Sequence, residues 1–225
     1  MRVLRGRGPD PRADRAHSRG LLEWVRREGE PAVRVWRPHR QVAFGRRDAN
    51  EPGYEAARRA ATQRGFSPVE RDVGGRAVAY TGTTQAFARI EPLEDPRRGL
   101  GDRYDRVEAE VLEALEAVGV DASRGEPPAS FCPGEHSLQA DGKLVGIAQR
   151  VTEGAAVVSG ILIVDQRDAV ADVLGPVYDA LGVPFDPDSV GSVEAAGGDV
   201  EEVREEVERA LVGDAAVTVE MLRER

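Results

Sequence analysis

Between Ala13 and Glu28 the apolar residues Ala16, Leu21, Leu22 and Val25 recur at roughly helical spacing and Gly29 follows as a stop, so the pattern predicts a first helix despite Gly20. Val33 and Val35, then Val42 and Phe44, alternate with polar residues on either side of Arg37-Pro38-His39-Arg40, which predicts two strands joined by a turn. Pro52 stands where a first helical turn tolerates proline, and the next helix runs from Tyr54 to about Gln63 before Gly65. A strand through Val69 and Arg71 leads into Gly74-Gly75. Ala77, Val78 and Tyr80, then Gln85 to Ile90, have strand character around Thr81-Gly82-Thr83-Thr84 and form a hairpin candidate.

Asp102 is placed to cap a helix whose Val107, Val111, Leu112, Leu115 and Val118 make one apolar stripe, ending at Gly119. Gly125 to Gly134 is rich in proline and small residues and reads as a loop, its polarity interrupted by Phe131 and Cys132; such loops carry function more often than the elements they join. The runs Lys143 to Val151 and Ala155 to Val164, with Glu153-Gly154 between them, are the strongest sheet signal in the chain. Val170, Val173, Leu174, Val177 and Leu181 then share a helical face until Gly182-Val183-Pro184, Asp199 caps a helix over Val200 to Leu211, and a last short element holds Val217, Val219, Met221 and Leu222. Helices on both sides of a mainly antiparallel strand block predict an α+β fold, a mixed sheet with packed helices, and not a doubly wound parallel one.

The 225 residues suffice for one well-buried core, and we read one domain, residues 1–225, with no internal repeat. Hydrophobic residues at 40% and charged residues at 32% exclude wholesale disorder. A formal net charge of -9 leaves a nucleic-acid surface needing a local basic patch, and none is evident downstream of the N-terminus, so no nucleic-acid partner is expected. The arginines at 2, 5, 7, 12 and 15 have no apolar stretch beside them and read as a solvated, partly frayed end, residues 1–12. No segment reaches the roughly 20 apolar residues of a membrane span and no signal peptide is visible, so the expected location is cytoplasmic, with no membrane partner.

Cysteine occurs once, at Cys132, which rules out an internal disulfide. Of the 31 lysines and arginines every one but Lys143 is arginine; an amine can act as a compact donor where a guanidinium cannot, so the exception points to a use for it, against a leftover surface lysine. A thiol on a proline-glycine loop shortly before that lysine suits a reactive thiolate, although a lone cysteine also serves as a small buried hydrophobe. In Arg71-Asp72-Val73-Gly74-Gly75-Arg76-Ala77-Val78 two glycines let bare backbone approach a ligand, and the flanking arginines suit a carboxylate, phosphate or oxyanion; a plain hairpin turn is the rival reading. His136 is close in sequence to Cys132, but a solvated loop histidine accounts for it better than a general base. His17 and His39 have no neighbours resembling a metal site.

Taken together, Val33-Arg34-Val35-Trp36, Gly74-Gly75-Arg76-Ala77-Val78, Cys132-Pro133-Gly134 and Gly142-Lys143-Leu144-Val145-Gly146-Ile147-Ala148-Gln149-Arg150 resemble, in order and spacing, the lipoate/biotin protein ligase superfamily over roughly residues 13 to 195. Within it the Cys-Pro-Gly loop ahead of Gly-Lys-x-x-Gly-Ile-x-Gln-Arg is most similar to the cysteine-dependent octanoyl-protein amidotransferases. The resemblance implies a mixed sheet of the biotin-synthetase, class II synthetase-like type with the acyl chain in an apolar tunnel beside it. It implies Cys132 as nucleophile and Lys143 as clamp on the acyl carbonyl. Arg71, Gly74, Gly75, Arg76 and Ala77 would then line the substrate site, with Gly146, Gln149 and Arg150 as its strand wall. The group transferred would be octanoyl or lipoyl, and the partners lipoyl-domain proteins, either the glycine-cleavage H protein or E2 subunits of 2-oxoacid dehydrogenases; transfer itself would need no cofactor.

ATP-dependent lipoate ligases, by contrast, usually carry three glycines with a histidine a few residues on, and an Arg-Asn-Asp stretch ahead of the lysine. Here Arg76, Tyr80 and the Cys-Pro-Gly loop stand instead. A ligase working through lipoyl-AMP, with ATP and Mg2+, is the alternative, and a lipoyl-domain binding protein with a decayed site is a third reading.

Overall fold

The computed structural model describes residues 1–71 and 75–222. In chain order these form β1 (Arg2–Arg5), α1 (Pro11–Glu28), β2 (Ala32–Trp36), β3 (Gln41–Phe44), α2 (Arg46–Ala49), α3 (Tyr54–Gln63), β4 (Ser67–Glu70), β5 (Val78–Tyr80), β6 (Gln85–Pro92), α4 (Leu100–Ala117), β7 (Ser123–Arg124), β8 (Ser137–Gln139), β9 (Lys143–Thr152), β10 (Ala155–Leu162), α5 (Arg167–Leu181), α6 (Val203–Val212) and β11 (Thr218–Met221). Eight strands make one sheet in the order β11-β1-β2-β6-β10-β9-β8-β7, and β4-β3-β5 make a second. The large sheet is antiparallel except where β1 lies parallel to β2 and to β11. In the small sheet β3 is parallel to β4 and antiparallel to β5. This is the α+β, mainly antiparallel architecture that the sequence predicts.

Local chemistry explains the element ends. The Asp10 carboxylate accepts the Ala13 N–H at 2.8 Å, Pro11 fills the first turn, and Gly29 closes α1 in the left-handed region with its N–H on the Val25 carbonyl. The β9–β10 hairpin pairs in register from Thr152 with Ala155 to Val145 with Leu162, as the alternation and the Glu153-Gly154 turn predict.

Four expectations need correction. Residues 2–5 are not a frayed end: Val3 and Leu4 are 1% and 4% exposed, and their burial inserts β1 between β2 and β11. Strands β2 and β3 do not pair, because the turn at Arg37–Arg40 carries the chain from the large sheet to the small one. The same holds for β5 and β6, where Thr81, Thr83 and Thr84 bond one another through their hydroxyls and Thr83 bonds Asp165, tying the crossing point to the end of β10. Finally, α4 begins at Leu100 behind a left-handed Gly99, and α6 begins only at Val203, because the Asp199 carboxylate takes the N–H groups of Glu201 and Glu202 in a separate turn.

One face of the large sheet packs on α4 and α6 through Val33, Phe87, Val107, Leu115, Val158 and Val207. On the other face α1 covers the β1 side, and the small sheet with α3 and α5 covers the β10–β9 side. Between these two coverings a cleft remains. No helix among the described residues is long and apolar enough to cross a membrane.

Candidate active site

The cleft is a cavity of about 270 Å³ floored by the large sheet and walled by α1 and the small sheet, with Trp36, Ala43, Val69, Tyr80, Ala86 and Arg71 among its lining. Its volume lies near the lower end of the ~300–1,000 Å³ usual for small-ligand sites, and its lining is mostly apolar, so it suits a slender hydrocarbon. The α1 wall is fixed by a fully buried arginine. Arg34 donates to the Asp14 carboxylate at 2.7 Å, to the Ser18 hydroxyl at 2.8 Å and to the carbonyls of Asp14 and Gly6 at 3.1 Å, and its guanidinium stacks over Trp36 at 4.2 Å. Burial lowers its pKa, opposed by the Asp14 charge.

Arg71 joins this cavity to Cys132. It lines the cavity, and its Nη2 lies 3.6 Å from Cys132 Sγ. The backbone N–H of Arg76 points at the same sulfur from 3.4 Å. Gly75 makes this approach possible: its φ is +92°, and a Cβ there would sit 2.9 Å from Sγ. A guanidinium and a backbone N–H are the partners a thiolate needs. Burial disfavours the Arg71 charge, but the Cys132 sulfur and Tyr80 beside it more than offset this and raise its pKa.

Cys132 itself is partly exposed and holds φ +42°, a left-handed conformation uncommon for a side-chain-bearing residue. Its N–H donates to the Tyr178 hydroxyl at 2.6 Å, and that hydroxyl donates to the Ala77 carbonyl at 2.9 Å. Helix α5 thus clamps the cysteine loop to the segment entering β5. Burial pushes the Tyr178 phenol far above its usual range, which keeps the hydroxyl a donor.

Lys143, the first residue of β9, is fully buried. Its Nζ donates to the carbonyls of Phe131 at 3.0 Å and Cys132 at 3.1 Å, and meets both carboxylate oxygens of Glu126 at 3.0 and 2.9 Å. Glu126 also accepts from the hydroxyls of Ser130 and Ser137 and, at 3.3 Å, from the Gly134 N–H. Burial raises its pKa, but the two serines and Lys143 outweigh that and hold the carboxyl below its usual value.

The expected site residues therefore divide. Cys132, Lys143, Arg71, Gly75, the Arg76 amide and the Ala77 carbonyl come together. Gly146 adjoins them, since a Cβ there would lie 3.5 Å from Lys143 Cε. The Arg76 guanidinium turns away to Glu51 at 2.7 Å and Asp48 at 3.4 Å. Arg150 lines the cleft. Gln149 faces the opposite side of the sheet, where it bonds Arg103 at 2.6 Å and the Leu100 carbonyl at 2.9 Å. Gly74 lies outside the described residues. His136 stacks on Tyr104 with 3.5 Å between ring centroids and bonds Glu108 at 2.6 Å, so α4 engages it. Glu126 and Tyr178 escaped sequence reasoning: the first sits between Gly125 and Pro127 with no motif around it, the second reads as one more apolar position of α5.

The sheet, the cleft beside it and the cysteine–lysine pair define a class. Residues 10–212 match the model of the Lipoyl protein ligase A/B catalytic domain, and the chain belongs to that family. Its fold, class II synthetase-like as expected, is that of lipoate-protein ligase A bound with ATP, with a TM-score of 0.76 and 19% identity over 100% of this chain and 89% of that one. A bi-partite lipoate protein ligase from Thermoplasma acidophilum, solved as part of a lipoylation system with its E2 lipoyl domain, is similar at a TM-score of 0.66 and 19% identity, covering 99% of this chain and 87% of that one. Among relatives in sequence, the octanoyl-[GcvH]:protein N-octanoyltransferase of an Exiguobacterium species is 30% identical over 65% of this chain and 53% of its own length. The enzyme of the same description from Geobacillus kaustophilus is 27% identical over 68% of this chain and 54% of its own. The chain thus spans about half the length of the curated relatives it matches.

Proposed function

We propose that the chain is an acyltransferase that moves an octanoyl group through a thioester on Cys132 to a lysine of a lipoyl-domain protein. The observation that carries this reading is the sulfur itself. It is held against Gly75, the Arg76 amide and Arg71 at one end of an apolar cleft, with the Lys143 amine on the carbonyl of the same cysteine residue. The relatives' shared description, octanoyl transfer from GcvH to protein, supports octanoyl over lipoyl as the group and an H protein as the donor. E2 lipoyl domains are then the acceptors.

The chemistry runs as two exchanges. The Cys132 thiolate, paired with Arg71, attacks the donor's acyl carbonyl; the carbon–sulfur bond forms, the carbon–nitrogen bond breaks, and the donor's lysine leaves as an amine after taking a proton. The acceptor's amine then attacks the thioester, a carbon–nitrogen bond replaces the carbon–sulfur bond, the acceptor's nitrogen returns to solvent the proton that the donor's lysine drew from it, and the thiolate is regenerated. Lys143 stabilises the oxyanion of each tetrahedral intermediate by exchanging one of its main-chain carbonyl partners for that oxygen. The ATP-dependent ligase alternative gives the sulfur no task, whereas three groups of this chain are committed to it.

Incubation with octanoylated H protein should add one octanoyl mass to the protein, abolished in Cys132→Ala. No adduct on the wild type sinks the proposal. Pyrophosphate release with lipoate and ATP, unchanged in Cys132→Ala, would favour the ligase.

A further inference from the structure

The acyl-cysteine reading leaves a chemical hazard unaddressed. An amine beside a thioester attacks it when neutral: the nitrogen bonds the carbonyl carbon, the carbon–sulfur bond breaks, its electron pair returns to sulfur, and the amine's proton follows to give back the thiol. The product is an amide on the enzyme's own lysine, far more stable than the thioester, and the acyl group would come to rest there. Lys143 Nζ lies 3.1 Å from the carbonyl oxygen of Cys132, so only a side chain's reach separates it from an acyl group on that sulfur.

We propose that Glu126 guards against this transfer: by pairing both carboxylate oxygens with Lys143 it keeps the amine an ammonium, which has no lone pair to attack with. The inference rests on the acyl-cysteine reading above. Glu126 is the only charged group bonded to Nζ among the described residues. A buried amine deprived of its counter-charge tends to release its proton. The carboxylate is itself kept ionised by the hydroxyls of Ser130 and Ser137, so the guard is a network of four side chains. Its reach from Gly125–Gly134 to β8 and β9 also fixes the loop that carries the sulfur, which makes Glu126 a positioning residue for Lys143. The ammonium remains free to trade a main-chain carbonyl for the substrate oxyanion, as the transfer requires, while the carboxylate retains it.

The test loads wild type, Glu126→Gln and Glu126→Asp with octanoyl-coenzyme A and compares intact mass before and after neutral hydroxylamine, which cleaves thioesters and spares amides. Wild type and Glu126→Asp should carry an adduct that hydroxylamine removes. Glu126→Gln should accumulate a resistant adduct on Lys143, found by peptide mapping, on the order of tenfold faster than wild type. Adding Cys132→Ala to Glu126→Gln should abolish it, showing passage through sulfur. A Glu126→Gln protein loaded on Cys132 with no excess of resistant adduct overturns the guard alone. No labile adduct on wild type, with octanoylated H protein as donor as well as octanoyl-coenzyme A, overturns the acyl-cysteine reading and the guard with it. In strongly alkaline solution any lysine ammonium gives up its proton; wild type loaded on sulfur there, with no amide at Lys143, overturns the guard without recourse to a variant.

Discussion

Removing one oxygen atom from Tyr178 should disable the site without touching any group that meets substrate. In Tyr178→Phe the Cys132 N–H loses its acceptor at 2.6 Å and the Ala77 carbonyl its donor at 2.9 Å. Two partners are left unsatisfied, and at about 1–2 kcal/mol for each they place the loss of stability at roughly 2–4 kcal/mol. For a chain of this size that is a Tm lowered by about 5–15 °C. The functional loss has a separate origin. Cys132 occupies its left-handed conformation at a cost of about 1–2 kcal/mol, and the tyrosine is the side chain that anchors its N–H there, as Lys143 anchors its carbonyl. Freed, the residue relaxes to negative φ and withdraws Sγ from Gly75 and Arg71. Population of the competent geometry should then fall about 5- to 30-fold. Intact-mass kinetics of octanoyl loading measures this, with iodoacetamide alkylation as a second reading of the thiol. A variant that unfolds earlier yet loads within twofold of wild type would refute the role given to the tyrosine.

Three further outcomes are expected. Gly75→Ala places a methyl 2.9 Å from Sγ at a φ of +92°, and a sulfur displaced by about 1 Å should load on the order of 100-fold more slowly, measured by the same mass assay; unchanged loading would count against the cradle. Asp14→Ala strands the buried Arg34 and should cost about 3–5 kcal/mol, read as a Tm fall of roughly 10 °C or more by calorimetry. Because the Glu126 pKa is lowered on folding, its ionised form stabilises the protein fully above the unfolded value of about 4.3, and that contribution is lost as pH falls through the lower folded value. The Tm advantage of wild type over Glu126→Gln should therefore be constant above about pH 5 and shrink below it; an advantage independent of pH down to about 3 would contradict the sign.

Where local chemistry decides, the sequence was legible. Pro52 and Gly65 bracket α3, whose bounds match the expectation at both ends, and Glu153-Gly154 announces the β9–β10 hairpin. Pairing between distant segments left no such mark: the turns at Arg37–Arg40 and Thr81–Thr84 look like hairpin turns and are passages between sheets. The pleat carries a further signal. Gly146 and Arg150 are an even number of residues apart and Gln149 is not, so one face of β9 could not hold all three. Motif order led to Cys132 and Lys143. Nothing in the order led to Glu126, whose partners Ser130, Ser137 and Lys143 converge only in three dimensions, or to Tyr178, which lies 46 residues from the amide it holds.

The lone lysine has a practical corollary. Its amine is sealed from solvent, so no lysine of these 225 residues is open to bulk reagents. Amine-directed crosslinkers, dyes and biotinylation esters will scarcely register this protein in a mixture, and will mark whatever lysine-bearing partner stands next to it.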